Sequence, residues 1–115
     1  MSFNNVTDNP HFLEVKDVTP EEVWENREKI NIIDVRSEDE FTGELGHIPG
    51  AKLIVLDRLD TCIKDLPQDK PIVFICRSGM RSAKATKMAI DAGLNDTYNM
   101  KGGMLAWNEN DLETE

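Results

Sequence analysis

Cys76 stands at the end of a short apolar run and is followed at once by residues that can support nucleophilic chemistry. The segment "CRSGMRS" places Arg77 directly after the cysteine and Arg81 after four intervening residues. Positive charge and converging backbone N–H groups both stabilise a thiolate, which is the reactive form of a cysteine. We therefore predict that Cys76 is a nucleophile and that the same loop binds an oxyanion.

The other residues of this loop fit the same prediction. Gly79 lets the backbone form a tight turn. Ser78 and Ser82 can donate hydroxyl hydrogen bonds to the loop or to a ligand, and Ser82 can also cap the following helix. Met80 either lines the mouth of the pocket or is an exposed residue without a role. The alternative interpretation is a small buried cysteine at a strand end, and it explains Cys76 but not its neighbours.

The charge of the chain is unevenly distributed. The 115 residues carry a formal net charge of −9, yet residues 71–90 contain four basic residues and no acidic one. This contrast predicts that the loop attracts small anions while the acidic remainder faces solvent or a partner. The acidic balance argues against nucleic acid as a partner. No apolar run reaches the ~20 residues that cross a bilayer, and the first residues lack a secretory pattern. We expect a cytoplasmic protein without a membrane partner.

Strand patterns alternate with helix patterns along the chain. Strands are predicted at residues 11–15, 30–35, 52–56, 72–76 and 97–100. Helices are predicted after Thr19 and Ser37, each with a glutamate placed to complete a capping box, and at residues 56–66 and 81–93. The segment "KGGMLAW" (101–107) is predicted to turn into a final short helix. This alternation predicts an α/β fold in which helices cover both faces of a mostly parallel sheet. We predict one domain over residues 1–115, with a core at about 12–107 and a frayed acidic tail at 108–115.

Four segments resemble, in order, the signatures of rhodanese-like domains, the sulfurtransferases that carry sulfur as a cysteine persulfide. They are "IIDVR" (residues 32–36), "EF" followed by "GHIPGA" (46–51), "CRSGMRS" (76–82) and "KGGMLAW" (101–107). Four residues separate Cys76 from Arg81, whereas the related phosphatases and arsenate reductases have five, because their substrates need a wider cradle. The chain departs from the commonest family pattern by two extra residues between "EF" and "GH", which lengthen a loop near the site.

The resemblance implies a single rhodanese-like domain and a two-step reaction. Cys76 takes the outer sulfur of thiosulfate or of a persulfide donor, and a thiol or cyanide then takes that sulfur from Cys76. The expected partners are therefore small sulfur-containing anions and a thiol acceptor, either a small molecule or a protein. The resemblance implies no cofactor and no metal. Two alternatives stay open: a sulfur carrier or interaction module without turnover, and, less favoured, a cysteine-dependent phosphatase or arsenate reductase.

Four further residues have both a functional and a structural interpretation. The resemblance places Asp34 and Arg36 near the active site, and we favour a structural pair in which Arg36 bridges an acid such as Glu40. His47 is predicted to be a structural loop residue without a partner acid. Cys62 lies on the apolar side of its predicted helix, so a core cysteine is favoured over a resolving thiol. No cysteine and histidine spacing predicts a zinc site.

Overall fold

The computed structural model describes residues 3–115, so Met1 and Ser2, the first two residues of the predicted domain, lie outside it. Its strands are β1 (Thr7–Asp8), β2 (Lys16–Val18), β3 (Asn31–Asp34), β4 (Lys52–Leu53), β5 (Ile72–Ile75) and β6 (Thr97–Met100). Its helices are α1 (Pro20–Glu25), α2 (Glu38–Phe41), α3 (Leu56–Cys62), which a 3-10 turn (Ile63–Asp65) extends, α4 (Met80–Asp91) and α5 (Gly103–Glu109).

The strands form one sheet in the order β1–β2–β6–β5–β3–β4. Among the strands of residues 3–115, only the β1–β2 pair is antiparallel, and every other neighbouring pair is parallel. The mostly parallel sheet predicted from the alternation of elements is therefore confirmed. Because parallel strands end on the same side of a sheet, β3, β5 and β6 bring the segments that follow them to one edge.

Helices cover both faces of the sheet, as predicted. On the central strand β5, Ile72 and Phe74 belong to a core cluster with α3 and α4, while Val73 and Ile75 belong to a second cluster with α1 and α5. All four side chains are almost fully buried, which is why this strand is a continuous apolar run rather than an alternating one. Cys76 continues the alternation and joins the α3–α4 side. Among residues 3–115, no helix combines the length and the apolar composition that a membrane span requires.

The strand predicted at residues 11–15 is wrong. Asn9 forms a turn instead, since its side-chain Oδ1 accepts hydrogen bonds from the N–H groups of His11 and Phe12. The local competition of an asparagine side chain with backbone pairing is typical of turns. The strand begins only at Lys16, and Leu13 remains 82% exposed.

The helix starts agree with their predicted caps, with one exception. Ser37 and Glu40 form both hydrogen bonds of the predicted capping box. Thr19 also caps its helix by accepting the N–H of Glu22. The carboxylate of Glu22 does not return that bond, because it accepts the N–H groups of residues 4 and 5 from the N-terminal segment instead.

The acidic C-terminal segment is not frayed, which corrects the prediction for residues 108–115. The Trp107 indole N–H donates to the carbonyl of Glu113 at 3.0 Å. Glu115 and His47 exchange two backbone hydrogen bonds, of 2.9 and 3.2 Å. Leu112 packs against the cluster that contains α1 and α5. The packing of Leu112 and the hydrogen bond of the Trp107 indole keep this segment against the domain. Its acidic composition alone had indicated a solvated tail.

Candidate active site

Cys76 follows β5 directly, and α4 begins only four residues later at Met80. The Cys76 side chain is 99% buried, and its Sγ accepts the backbone N–H of Gly79 at 3.0 Å. The Ser82 hydroxyl lies 3.2 Å from the same sulfur. Gly79 has a φ of +103°, and a Cβ there would stand 3.1 Å from the backbone nitrogen of Gly102. Glycine is therefore required for the turn that directs this N–H at the sulfur.

The first turn of α5 holds the loop from behind. The N–H of Met104 donates to the carbonyl of Cys76 at 2.8 Å, and the N–H of Leu105 donates to the carbonyl of Arg77 at 3.0 Å. A planar trans peptide directs its C=O and its N–H to opposite sides. The two carbonyls point toward α5, so the N–H groups of Arg77 and Ser78 point the other way.

Most N–H groups of the loop are free to bind an anion. The described residues offer no acceptor within the protein to the N–H groups of five loop residues, namely Arg77, Ser78, Met80, Arg81 and Ser82. The last three belong to the first turn of the twelve-residue helix α4, whose macrodipole also favours negative charge. A sulfur oxyanion or an anionic sulfane sulfur carried on Cys76 would find unpaired donors here.

Gly103 makes the close approach of α5 possible. A Cβ on Gly103 would lie 2.5 Å from the carbonyl oxygen of Cys76 and 2.6 Å from the carbonyl carbon and oxygen of Arg77. Gly102 and Gly103 form the tight turn between β6 and α5, with φ values of +77° and +57°. Gly103 also packs directly against the backbone of Cys76 and Arg77 and so supports the cysteine loop.

Residues 71–90 contain no acidic residue, but the Glu40 side chain on α2 contacts the cysteine loop. The guanidinium of Arg81 binds the carboxylate of Glu40 through two hydrogen bonds of 2.7 Å each. The Arg81 hydrogen bonds lower the pKa of Glu40 from its ordinary 4.5 to about 2, and the same hydrogen bonds raise the pKa of Arg81. Arg81 thus contributes a partly neutralised positive charge to the surroundings of Cys76.

Arg36 and Asp34 form a fully buried pair. Arg36 Nη2 lies 2.7 Å from Asp34 Oδ2, and the guanidinium also donates to the backbone carbonyls of Glu40 and Gly46. The structural interpretation agrees with this geometry, but the predicted bridge to the Glu40 carboxylate is wrong, because Arg81 occupies that carboxylate. Arg36 instead ties β3 to the backbone of α2 and of the following loop.

The exposed part of the loop borders a cavity of about 260 Å³. Arg77 lines this cavity together with Arg36, Glu40 and residues 43–45, which belong to the lengthened loop seen in the sequence. Among the described residues, Arg77 makes no ion pair. Ser78 and Met80 are also exposed and line a second cavity, of about 320 Å³, on the other side of the loop.

The buried Ser82 hydroxyl does not cap α4, in contrast to one of its predicted roles. No side chain of the described part of the chain caps this helix, and the Ser82 Oγ lies between Cys76 and the side-chain oxygen of Asn99. Asn99 in turn donates to Asp17 at 2.8 Å. Sequence reasoning missed Asn99 and Asp17 as neighbours of the site. The signal in the sequence for Asn99 is a polar residue within a predicted strand, which does not by itself show a partner. Asp17 lies outside the strands predicted from the sequence, so it carried no such signal.

His47 and Cys62 lie outside the loop. The His47 ring stacks on Phe41 at 3.7 Å, and its Nδ1–H donates to the carbonyl of Phe41 at 2.8 Å. This supports its structural interpretation, although His47 does have a partner acid, because Glu115 Oε1 lies 3.5 Å from its Nε2. Cys62 is a free thiol and is half-buried rather than fully buried. Its Sγ lies 3.7 Å from the carbonyl oxygens of Arg58 and Leu59.

We expect Gly103→Ala to lower the free energy of unfolding by about 3 kcal/mol or more, because a Cβ overlaps the loop backbone in addition to the strain of a positive φ. Gly50→Ala is the matched control, since Gly50 has a φ of +87° but no atom within 4 Å of a Cβ. Its cost should be about 1 kcal/mol. Urea unfolding measures both values, and equal costs would show that α5 does not press on the loop.

The Glu40 pKa predicts a pH-dependent stability difference. Because the carboxyl titrates lower in the folded state, Glu40 stabilises the protein above its ordinary pKa of 4.5, and this contribution disappears as the pH falls toward about 2. Glu40→Gln retains the capping box. It should lower the free energy of unfolding by about 1 kcal/mol at pH 7, since the Glu40–Arg81 pair is partly exposed. The difference from wild type should shrink below pH 4.5.

The control for this measurement is Glu38→Gln in the same helix turn, because Glu38 makes no ion pair among the described residues. Urea unfolding across the acid range compares the two variants. A Glu40→Gln cost that does not change with pH, or a control that behaves in the same way, would contradict the assigned ion pair.

Comparison with known proteins agrees with this geometry. The family model of the rhodanese-like domain matches residues 19–110. The chain is 41% identical over 98 residues to YtwF of Bacillus subtilis, covering 83% of this chain and 92% of that protein. It is 30% identical over 82 residues to thiosulfate sulfurtransferase GlpE of Pseudoalteromonas translucida, covering 71% and 76%. The crystal structure of a rhodanese-related protein from Thermoplasma volcanium superposes with a TM-score of 0.78 at 28% identity, covering 84% and 94%. The chain belongs to the rhodanese-like domain family, which includes named sulfurtransferases.

Proposed function

We propose that this protein is a rhodanese-type sulfurtransferase that carries sulfane sulfur as a persulfide on Cys76. The observation that carries the proposal is the ring of backbone donors around one buried sulfur. Gly79 already donates to Sγ at 3.0 Å, and the neighbouring N–H groups have no acceptor within residues 3–115. An outer sulfur bonded to Sγ would carry the negative charge of a persulfide into this set of donors, which stabilises the intermediate.

The proposed reaction has two displacement steps. The Cys76 thiolate attacks the outer sulfur of thiosulfate or of a small persulfide. A new S–S bond forms, and the old bond breaks, so that sulfite or a thiolate leaves with the electron pair. A thiol acceptor, as its thiolate, or cyanide then attacks the outer sulfur of the Cys76 persulfide and takes it, and the Cys76 thiolate is regenerated. The two steps use one cysteine and need no oxidant or reductant.

The length of the loop favours sulfur over phosphorus in this proposal. With only four residues between Cys76 and Arg81, α4 begins at Met80 and its first turn is already part of the cradle. A single sulfur atom on Sγ matches this small ring, whereas a tetrahedral phosphate or arsenate has three further oxygens to accommodate. A cysteine-dependent phosphatase is therefore the weaker candidate.

The test is the mass of the intact protein after incubation with thiosulfate or a persulfide donor. We expect a gain of one sulfur atom, ~32 Da, on wild type and none on Cys76→Ser, because only a thiolate forms the persulfide. Cys62→Ser is the matched control and should retain the gain. Wild type without the adduct for every donor contradicts the proposal, and faster turnover of an aryl phosphate than of thiosulfate would favour the phosphatase alternative.

The acceptor step separates an enzyme from a sulfur carrier. Rapid loss of the adduct to cyanide or to a small thiol is expected for the enzyme. If the adduct forms but leaves rapidly only in the presence of a protein thiol, the domain acts as a carrier. The exposure of Met80 supports the carrier as a second candidate. Met80 belongs to the cysteine loop, is 48% exposed, and offers an apolar contact to a protein acceptor.

Arg77 is the arginine that we propose to bind an anionic donor. Arg36 is paired with Asp34, and Arg81 is paired with Glu40, whereas Arg77 is exposed beside the 260 Å³ cavity. Arg77→Gln should raise the KM for thiosulfate about tenfold with a small change in kcat, because it removes an ionic contact to the donor. Arg58→Gln, an exposed arginine on α3, is the control and should leave the KM unchanged. Equal KM values for both variants would show that Arg77 does not bind the donor.

A further inference from the structure

A line of buried polar side chains connects Cys76 to β2. Ser82 Oγ lies 3.2 Å from Cys76 Sγ and in close contact with Asn99 Oδ1. Asn99 Nδ2 donates to Asp17 Oδ1 at 2.8 Å, and Asn9 Nδ2 donates to the same oxygen at 3.0 Å. Ser82, Asn99 and Asp17 are each at least 96% buried. The hydrogen bonds that these side chains make within the protein therefore set the direction of the line, and Asp17 and Asn99 also border the 320 Å³ cavity.

The chemistry of the groups sets that direction. An ionised Asp17 accepts hydrogen bonds only, so it orients the amide of Asn99 with Nδ2 toward the carboxylate and Oδ1 toward Ser82. The single hydroxyl proton of Ser82 must then lie between the two oxygens. With that proton committed to Asn99, Ser82 Oγ can only accept from Cys76, and this arrangement fits a protonated thiol.

Ionisation of Cys76 conflicts with this arrangement. A thiolate in contact with Ser82 Oγ needs the hydroxyl proton between the two atoms, which leaves the oxygens of Ser82 and Asn99 facing each other without a proton. Rotation of the Asn99 amide would remove that conflict, but it would turn Oδ1 toward the Asp17 carboxylate. An amide does not readily pass a proton along, so the line orients hydrogen bonds rather than conducting protons. An unmet hydrogen bond in a buried place is costly.

We propose that Asp17, acting through Asn99 and Ser82, holds Cys76 toward its thiol form and so sets the pH at which the nucleophile becomes available. Asp17 and Asn99 are positioning residues, since neither touches Sγ. The proposal rests on the proposed role of Cys76 as the nucleophile, but its test measures ionisation and not sulfur transfer. A persulfide does not create the same conflict, because its charge lies on the outer sulfur and its inner sulfur does not require the Ser82 proton.

Other charges around Cys76 act through space. They are Arg77 in the loop, Arg81 on α4, Asp34 and Arg36 at the end of β3, Glu40 on α2, Lys101 after β6, and the titratable His11 before β2, which borders the 320 Å³ cavity together with Asp17. Within residues 3–115, Asp17 is the charged side chain that side-chain hydrogen bonds connect without a break to Sγ. This connection separates its effect from that of the other charges.

The experiment follows the ultraviolet absorbance of the Cys76 thiolate against pH, with every variant built on Cys62→Ser and corrected by the matching Cys76→Ser protein. Asp17→Asn is isosteric and lets the line reverse, since the new amide on β2 can donate to Asn99 Oδ1, Asn99 to Ser82, and Ser82 to the thiolate. We expect the titration midpoint to fall by about one pH unit, a tenfold rise in thiolate below the midpoint.

A second background separates hydrogen bonding from the simple loss of a negative charge. In Ser82→Ala the line is cut, so Asp17→Asn should shift the midpoint by much less than it does with Ser82 present. An equal shift in both backgrounds, or no shift in either, overturns the proposal. If Asp17→Asn does not fold, Asn99→Ala tests the same step, because it frees the Ser82 proton and should also lower the midpoint. An unchanged or higher midpoint in Asn99→Ala likewise overturns it.

Discussion

Two backbone hydrogen bonds from the start of α5 to the carbonyls of Cys76 and Arg77 determine how the cysteine loop is arranged. They direct the loop carbonyls toward α5 and so turn the following N–H groups to the opposite side. The parallel pairing of β5 with β6 makes this contact possible, because Phe74 lies opposite Asn99 and the two strands end at the same edge. The helix can approach so closely only because Gly103 has no side chain.

The positive charge of the loop is limited by acids that other elements supply. Arg36 is fully buried, and it satisfies Asp34 and two backbone carbonyls at the same time. A buried charge of this kind is tolerated only when it is fully paired. By holding the backbone of Glu40, Arg36 also helps to place the Glu40 carboxylate beside Arg81. The result is a loop whose backbone donors and exposed Arg77, rather than a cluster of free arginines, are available to an anion.

Cys76 lies between two different environments. On one side it belongs to the apolar cluster that α3 and α4 form with the sheet. On the other side, Ser82 and Asn99 bring polar groups from α4 and β6 to the sulfur. An apolar surrounding disfavours a bare thiolate, while donors favour it. The balance between the thiol and the thiolate of Cys76 therefore depends on the direction of the hydrogen bonds from Ser82 through Asn99 to Asp17.

The sequence by itself determined the α/β alternation, the central apolar strand, the helix caps at Thr19 and Ser37, and the cysteine loop, because these depend on neighbours within a few residues. It failed at residues 11–15, where the Asn9 side chain competed with strand pairing. Only the tertiary structure decided that Glu40 pairs with Arg81, that Gly103 supports the loop and that Asn99 and Asp17 reach Cys76 through Ser82. These contacts join residues far apart in the chain, such as Glu40 and Arg81 or Asp17 and Asn99. Their partners are selected by the order and register of the strands, which local sequence patterns do not specify.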